Sequence, residues 1–227
     1  WLRENLEAVK PSSNGEFYLT DLIAIASGQG EVVADLLLED PTEALGVNDR
    51  SQLARAEAIL RHRICEKWML AGVTITDPLT TYIDLEAKIG RDTIILPNTH
   101  IQGDSVIGEN CEIGPNSMIY NGVVGEGCLI TSSVVRDAKL LDRVSVGPYS
   151  HVRPGSVLSS KVRLGNYVEV KNSRIGSFTR IGHFSYLRDA DVGSNVNIGA
   201  GTITCNFDGE NKYETEIGDG ALIGSDT

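Results

Sequence analysis

This 227-residue chain lacks several sequence features, and each absence argues against a class of protein. The four cysteines lie far apart without a CxxC pair, which argues against a zinc site or a disulfide framework. No apolar run approaches the roughly 18 residues that a membrane span needs. The net charge of -11, with acids and bases interspersed, argues against a nucleic-acid-binding surface. The sequence therefore predicts reduced thiols, no membrane span and no nucleic-acid partner.

The chain also lacks an initiator Met and a charged-then-apolar leader. It begins at Trp1 and ends at Thr227 inside a repeat, although repeat stacks need capping units to remain soluble. We therefore expect a fragment at both ends, taken from a cytoplasmic protein.

The first 71 residues have a mixed pattern. The segment 20–26 has a helical composition, and the apolar run 31–38 is typical of a β-strand. From Ser51 to about Ala71, apolar residues recur at helical spacing, and Gly72 stands where a helix should stop. Charged residues interrupt this apolar stripe, which predicts a helix that lies on a surface rather than one with a deeply buried face.

A period of six residues dominates the remainder of the chain. It is unbroken over seven isoleucines: Ile83, Ile89, Ile95, Ile101, Ile107, Ile113 and Ile119. Neither a 3.6-residue helix nor simple strand alternation explains this spacing, and chance periodicity in a β-sandwich does not account for it. After a less regular interval the rhythm resumes at Val146 and continues, with phase shifts, to Ile223. Three hexapeptides would make one triangular coil, and stacked coils would bury the aliphatic side chains in a continuous ladder.

The rhythm breaks between Ile203 and Ile217, where an Asp-Gly step and several asparagines mark an excursion from the coil. Loops that project from a rigid scaffold commonly carry function. We therefore expect functional residues in this excursion.

The runs Gly-His-Phe-Ser-Tyr-Leu at 182–187 and Asn-Val-Asn-Ile-Gly-Ala-Gly-Thr-Ile-Thr-Cys-Asn-Phe-Asp-Gly at 195–209 are long and specific motifs. They closely resemble the bacterial bifunctional N-acetylglucosamine-1-phosphate uridyltransferase/glucosamine-1-phosphate acetyltransferase family. Gly-Glu-Phe-Tyr-Leu-Thr-Asp at 15–21, Gly-Val-Asn at 46–48 and Gly-Ser-Asp-Thr at 224–227 extend the resemblance over nearly the whole chain.

The resemblance implies a fold and a set of domains. It implies an all-β left-handed parallel β-helix, preceded by a connector α-helix and a partial α/β nucleotidyltransferase remnant. Residues 1–50 would be the end of a uridyltransferase domain, 51–71 a linker helix, and 72–227 a truncated acetyltransferase domain. The β-helices would assemble as a homotrimer with active sites between neighbouring subunits.

The resemblance also implies acetyl transfer from acetyl-CoA to the amine of glucosamine-1-phosphate. Such a transfer needs a base, and histidine is the usual choice because its charge changes near neutral pH. His183 matches the family's catalytic base, whereas His62, His100 and His151 have no matching motif. The family's substrate-binding positions correspond to Arg153, Lys171, Tyr186, Asn197 and, in the excursion, Lys212. Its coenzyme positions correspond to Ala200, Asn206, Phe207 and Ser225, although the family often has Tyr where this chain has Phe207.

The parent protein would also use UTP and Mg²⁺ to make UDP-N-acetylglucosamine for peptidoglycan and lipopolysaccharide precursors. Here only Asn48 matches a metal-binding position, and its metal partner and the Gly-rich loop are absent, so a plain loop residue is the expectation. Two alternatives stay open: a non-catalytic β-helix that binds nucleotide sugars, and a sugar nucleotidyltransferase of the same architecture that acts on a different sugar.

Overall fold

The computed structural model describes residues 1–227, which form two compact units, 1–46 and 47–227. The first unit contains helices α1 (Leu2–Asn5) and α2 (Asp21–Gly28) and two short 3₁₀ turns, Leu6–Ala8 and Pro41–Ala44. Its small core includes Val9, Leu22 and Ala26. Helix α2 confirms the helix predicted near residues 20–26.

The predicted strand at 31–38 is wrong, because these residues form no regular secondary structure. Val32, Leu36 and Leu37 are 96%, 88% and 89% exposed. A strand is stabilised by hydrogen bonds to a neighbouring strand, and the first unit contains no other strand that could supply them. An apolar composition alone therefore does not form a strand here.

The second unit begins with helix α3 (Arg50–Leu70). The carboxylate of Asp49 caps its N-terminus by accepting a hydrogen bond from the backbone N–H of Gln52 at 2.8 Å. The helix ends before Gly72, whose φ of +97° is the left-handed conformation that glycine favours. Only Ile64 and Cys65 are buried, against the hydrophobic core of the coils that follow. This helix confirms the connector helix that was predicted to lie on a surface.

Twenty-four short strands follow α3. The first twelve are β1 (Thr74–Ile75), β2 (Tyr82–Ile83), β3 (Lys88–Ile89), β4 (Ile94–Ile95), β5 (His100–Gln102), β6 (Val106–Ile107), β7 (Glu112–Ile113), β8 (Met118–Tyr120), β9 (Val123–Val124), β10 (Leu129–Ile130), β11 (Val134–Arg136) and β12 (Lys139–Leu140). The remaining twelve are β13 (Ser145–Val146), β14 (His151–Val152), β15 (Val157–Leu158), β16 (Arg163–Asn166), β17 (Glu169–Lys171), β18 (Arg174–Ile175), β19 (Arg180–His183), β20 (Tyr186–Arg188), β21 (Ala190–Val192), β22 (Asn197–Ile198), β23 (Thr215–Ile217) and β24 (Leu222–Ile223).

Strands three apart in the chain pair in parallel up to β22, so each coil contributes one strand to each of three sheets. Sheet A has nine strands and runs from β1 through β4, β7 and onward to β24; sheet B has seven, from β2 to β20; sheet C has eight, from β3 to β23. Equivalent aliphatic residues face each other in register, as Ile95 does Ile113 and Ile130 does Val146. These sheets confirm the predicted parallel β-helix of hexapeptide repeats.

The interior is the aliphatic ladder that the six-residue period predicts. The seven isoleucines from Ile83 to Ile119 are all 7% exposed or less. Two residues before each of them stands a small buried side chain, for example Thr93 before Ile95. The Thr93 hydroxyl donates a 2.9 Å hydrogen bond to the carbonyl of Gly108 in the next coil, and no buried polar side-chain atom lacks a partner. Burial at roughly 1.5–3 kcal/mol per aliphatic side chain makes this ladder the main source of stability.

No helix of the structure combines the length and the apolar character that crossing a membrane would require.

Candidate functional site

Four cations occupy equivalent outward positions on consecutive strands of sheet B: Arg136, Arg153, Lys171 and Arg188. Three of them already have partners. Arg153 forms a 2.6 Å ion pair with Glu169, and Arg188 forms a 3.1 Å ion pair with Asp189. The guanidinium of Arg136 lies 5.1 Å from the ring centroid of Tyr120. Lys171 is half-buried and has no carboxylate within 4.0 Å, so its ammonium group can bind an added anion.

A second row of side chains runs beside these cations. His151, Glu169 and Tyr186 are aligned on β14, β17 and β20 and are all half-buried. Burial lowers the pKa of His151; the nearby Glu169 carboxylate opposes this shift, and the Arg153 and Arg136 cations add to it. Sheet B therefore presents a phenol and a largely neutral imidazole next to two arginines and a lysine.

His183 stands at the end of β19, at the corner between sheets A and B, with its side chain exposed. The next residue, Phe184, has a φ of +43° and stacks on Tyr167 at 5.0 Å, which in turn stacks on Tyr149 at 5.5 Å. The hydroxyl of Ser185 donates a 2.9 Å hydrogen bond to the backbone carbonyl of His183. The aromatic column and this hydrogen bond fix the corner, so the imidazole projects into solvent from a rigid support.

Two predicted coenzyme residues lie at the same corner in later coils. Ala200 is half-buried one coil beyond His183, and its carbonyl accepts a 2.7 Å hydrogen bond from the backbone N–H of Asp226. Ser225, next to Asp226, is exposed. The corner thus brings His183, Ala200 and Ser225 together on successive coils.

Asn197 lies elsewhere, on strand β22 of sheet A and in register with Arg180. Sheets A and B are different sides of the β-helix. One chain therefore does not place Asn197 on the face that carries Arg153, Lys171 and Tyr186. A ligand that touches all four must reach round the corner or lie between two chains.

The excursion predicted at 203–217 is present and contains three of the predicted site residues. Asn206 is buried, and its side-chain amide donates a 2.7 Å hydrogen bond to the carboxylate of Asp189. Its carbonyl accepts a 2.8 Å hydrogen bond from the backbone N–H of Tyr213. Phe207 and Lys212 form an antiparallel bridge and are both exposed. The excursion is a small turn that is fixed to the coils at Asn206 and presents a ring and an ammonium group at its surface.

Asp189 is the anchor of this turn. Its pKa is held below the ordinary value, first by the hydrogen bond from Asn172 and then by the one from Asn206, while burial acts in the opposite direction. The Asn172 amide donates to the other carboxylate oxygen at 2.6 Å. Both carboxylate oxygens are therefore used, which orients Asp189 and, through it, Asn206.

Asn48 is exposed in the loop before α3. Its backbone N–H donates a 2.6 Å hydrogen bond to the Gln52 side chain, and one carboxylate oxygen of the adjacent Asp49 caps the helix. The structure contains no group of three or more His, Cys, Asp or Glu side chains that could hold a metal ion. Magnesium needs several oxygen ligands, so the residues around Asn48 do not fit a magnesium site.

Sequence reasoning missed Glu169 and Asp189, which orient Arg153 and Asn206. Glu169 lies two residues before Lys171, and the resemblance assigned only the lysine to the site. The contacts of Asp189 have a pattern in the sequence. Asn172, Asp189 and Asn206 are spaced 17 residues apart, and the coils in this region have the same period. Residues one coil apart are stacked, so this spacing predicts contact.

Comparison with known proteins agrees with the repeat pattern. The family model described as bacterial transferase hexapeptide (six repeats) matches residues 86–121 and 104–135. This chain carries that hexapeptide repeat. Among solved structures, LpxA from Acinetobacter baumannii is similar over 56% of this chain and 64% of its own, with 15% identity and a TM-score of 0.41.

Relatives with much higher identity cover nearly all of the chain. The bifunctional protein GlmU of Heliobacterium modesticaldum is 49% identical over 223 residues, which is 98% of this chain and 49% of that protein. The GlmU of Carboxydothermus hydrogenoformans is 48% identical over 227 residues, 100% of this chain and 51% of that protein. These names confirm the resemblance predicted from the motifs. The chain spans about half the length of the curated relatives that it matches.

Proposed function

We propose that this chain is part of a bifunctional enzyme, and that its β-helix transfers an acetyl group from acetyl-CoA to the amine of glucosamine-1-phosphate. The identity of 48–50% with proteins named GlmU, over nearly the whole chain, supports the activity. The observation that carries the proposal is the arrangement on sheet B. There Lys171, which has no carboxylate partner, and Arg153, which Glu169 orients, lie on the sheet that follows the corner bearing His183.

The phosphate of the sugar would bind to sheet B. A phosphate monoester carries about 1.5 to 2 negative charges near pH 7, and charge-assisted hydrogen bonds to Lys and Arg are the strong ones. Lys171 supplies an unpaired ammonium group, and Arg153 keeps further N–H donors beside its bond to Glu169. The Tyr186 hydroxyl, one strand further, is available to the sugar. Binding here would hold the amine near the corner between sheets A and B.

His183 would act as the general base. The substrate ammonium must lose a proton before its nitrogen can attack the thioester carbonyl, and a neutral imidazole accepts that proton. The nitrogen then forms the amide bond while the carbon–sulfur bond breaks, and CoA leaves as the thiol after taking up the proton that the nitrogen loses. The rigid corner fixes the backbone from which the imidazole of His183 projects, so less freedom is lost when substrate binds.

Assembly as a homotrimer would complete the site. Asn197 lies on sheet A, on a different side of the β-helix from Lys171, so a site between two chains lets both contact one ligand. Lys212, exposed on the excursion, can likewise reach a neighbouring chain. We assign Ala200, Asn206, Phe207 and Ser225 to the coenzyme, with the Phe207 ring able to pack but without a hydroxyl to donate.

We further propose that residues 1–50 end a uridyltransferase domain, that 51–71 link it to the β-helix, and that 72–227 form the acetyltransferase domain of a cytoplasmic protein. The UTP- and Mg²⁺-dependent step would then depend on residues outside this chain, since those around Asn48 do not build a magnesium site.

Replacing His183 tests the acetyl-transfer proposal. In the longer bifunctional protein, His183→Ala should lower the rate of CoA release with glucosamine-1-phosphate by about 100-fold or more, because the general base is lost. His62→Ala, on the exposed surface of α3, is the matched control and should leave that rate unchanged. A His183→Ala enzyme that keeps its steady-state rate would show that His183 is not the base.

A further inference from the structure

A basic depression lies on the β-helix between sheets C and A, away from the cations of sheet B. It has a volume of about 360 Å³ and is lined by Arg143, Lys161, Arg163, Phe178 and Arg180. Arg163 and Arg180 are in register on the neighbouring strands β16 and β19. The other three occupy the corner on successive coils, with left-handed φ values of 59°, 63° and 64°. Arg180 and His183 begin and end the same strand, so the two sites are roughly 10 Å apart along the backbone.

The charges of this depression are not neutralised within the chain. None of the four cations has a carboxylate within 4.0 Å; the ion pairs of the β-helix that involve arginine join Arg153 to Glu169 and Arg188 to Asp189. Within the group, the Lys161 ammonium lies 4.7 Å from the centroid of the Phe178 ring. Four unpaired cations around one concave surface are exceptional in a chain whose net charge is -11.

The alignment of Arg163 with Arg180 has an energetic consequence. Adjacent strands are about 4.8 Å apart, and like charges on directly neighbouring strands destabilise a sheet. No carboxylate lies within 4.0 Å of either guanidinium group to offset this repulsion. A bound anion would remove it, and the planar guanidinium groups match the oxygens of a phosphate.

The surroundings restrict where an anion can bind. One coil earlier, Glu126 and Asp142 line a second depression that shares Arg143. Acidic groups would repel an anion on that side. The favourable region is therefore the part formed by Lys161, Arg163 and Arg180, next to the half-exposed ring of Phe178.

We propose that Lys161, Arg163 and Arg180 form a phosphate-binding site that is distinct from the acetyl-transfer site. Its ligand is a small molecule with two or more negative charges on phosphate groups. The depression is of small-molecule size, and three cations exceed what a single carboxylate would need.

Calorimetric titration with pyrophosphate at low ionic strength tests this site on the full chain without any assay of acetyl transfer. The unmodified protein should bind, and Arg163→Ala/Arg180→Ala should weaken binding by about tenfold or more, because two charge-assisted contacts are lost. The control is Lys88→Ala/Lys139→Ala, which removes two exposed cations from sheet C and should change the affinity by less than about twofold. Arg163→Lys/Arg180→Lys keeps the charge and should retain part of the binding.

Three results would overturn the proposal. The first is absence of binding to the unmodified protein at millimolar pyrophosphate. The second is equal weakening by the two double-alanine variants, which would mean that general electrostatics and not a site is responsible. The third is a changed assembly state of Arg163→Ala/Arg180→Ala in sedimentation without pyrophosphate binding to the unmodified protein, which would assign these cations to acidic groups of a second copy.

Discussion

The coils of the β-helix and the excursion at 203–214 belong to the same compact unit but are stabilised in different ways. In the coils, the strands inside the stack pair with the coil before and the coil after, and the aliphatic side chains between them are almost fully buried. The excursion has one antiparallel bridge and a few side-chain hydrogen bonds, centred on Asn206 and on the contact of Tyr213 with Asp208. The coils are thus stabilised by packing and backbone pairing, and the excursion by a small number of polar contacts.

Because of this difference, some of the proposed site residues have a fixed backbone and others lie on a less firmly held loop. Lys171, which is assigned to the sugar phosphate, lies on β17, whose backbone pairs with a strand on each side. Phe207 and Lys212, which would reach a coenzyme and a neighbouring chain, lie on the excursion and are exposed. Stability and function should therefore respond to substitutions in different places.

The largest effect is expected from truncation inside a coil. Ile130 is fully buried between Ile113 and Val146, so Ile130→Ala should lower the free energy of unfolding by about 2–5 kcal/mol. Phe207→Ala removes a larger side chain that is 58% exposed and should change it by less than about 0.5 kcal/mol. Urea unfolding followed by circular dichroism measures both. Similar losses from the two substitutions would contradict the contrast drawn between coil and excursion.

A smaller loss of stability is expected from a substitution at Asp189, where the excursion contacts the coils. Asp189→Asn leaves only one acceptor oxygen for the amides of Asn172 and Asn206, so stability should fall by about 1 kcal/mol. The excursion should loosen more than the coils, and a lysine-specific protease should cleave after Lys212 several times faster than in the unmodified chain. Asp191→Asn, at an exposed position on the next strand, is the control. Unchanged cleavage after Lys212 would mean that Asp189 does not anchor the turn.

The smallest expected effect is the pH dependence of stability that arises from His151, on sheet B. Burial lowers the pKa of His151 from 6.5, so the unfolded chain takes up this proton before the folded chain does as the pH falls. The contribution of neutral His151 to stability is present above pH 6.5 and is lost as the pH falls below it, with a slope under about 1.4 kcal/mol per pH unit. Urea midpoints between pH 8 and 5 should therefore fall less for His151→Gln than for the unmodified chain. His62→Gln, on the exposed face of α3, should follow the unmodified curve.

The coils could be predicted from the sequence because their order is local and repeats. The six-residue spacing identified the buried side chains from Ile83 to Ile119, and all of them are in the core. The interval between Ile119 and Val146, whose spacing in the sequence is less regular, also forms regular coils. Val124, Ile130, Val135 and Leu140 are buried at spacings of five and six, because some corners are one residue shorter.

The structure of the first unit and the arrangement of the site could be predicted from the sequence only in part. The run 31–38 has a strand composition, but pairing depends on a partner strand that this unit lacks. The motifs identified residues that are expected to act together, but only the division into three sheets shows that Asn197 and Lys171 lie on different sides. Pairings such as Asp189 with Asn206 require the length of a coil, which becomes known only after the corners are placed.

The return of the chain after the excursion has a practical meaning for protein engineering. Val192 pairs with Ile217 although 25 residues separate them, whereas Ile175 and Val192 pair across only 17. The extra segment leaves and rejoins the stack without altering its alignment. An epitope or a fluorescent reporter spliced next to Gly209, which is exposed, should therefore be carried without cost to the coils beneath it.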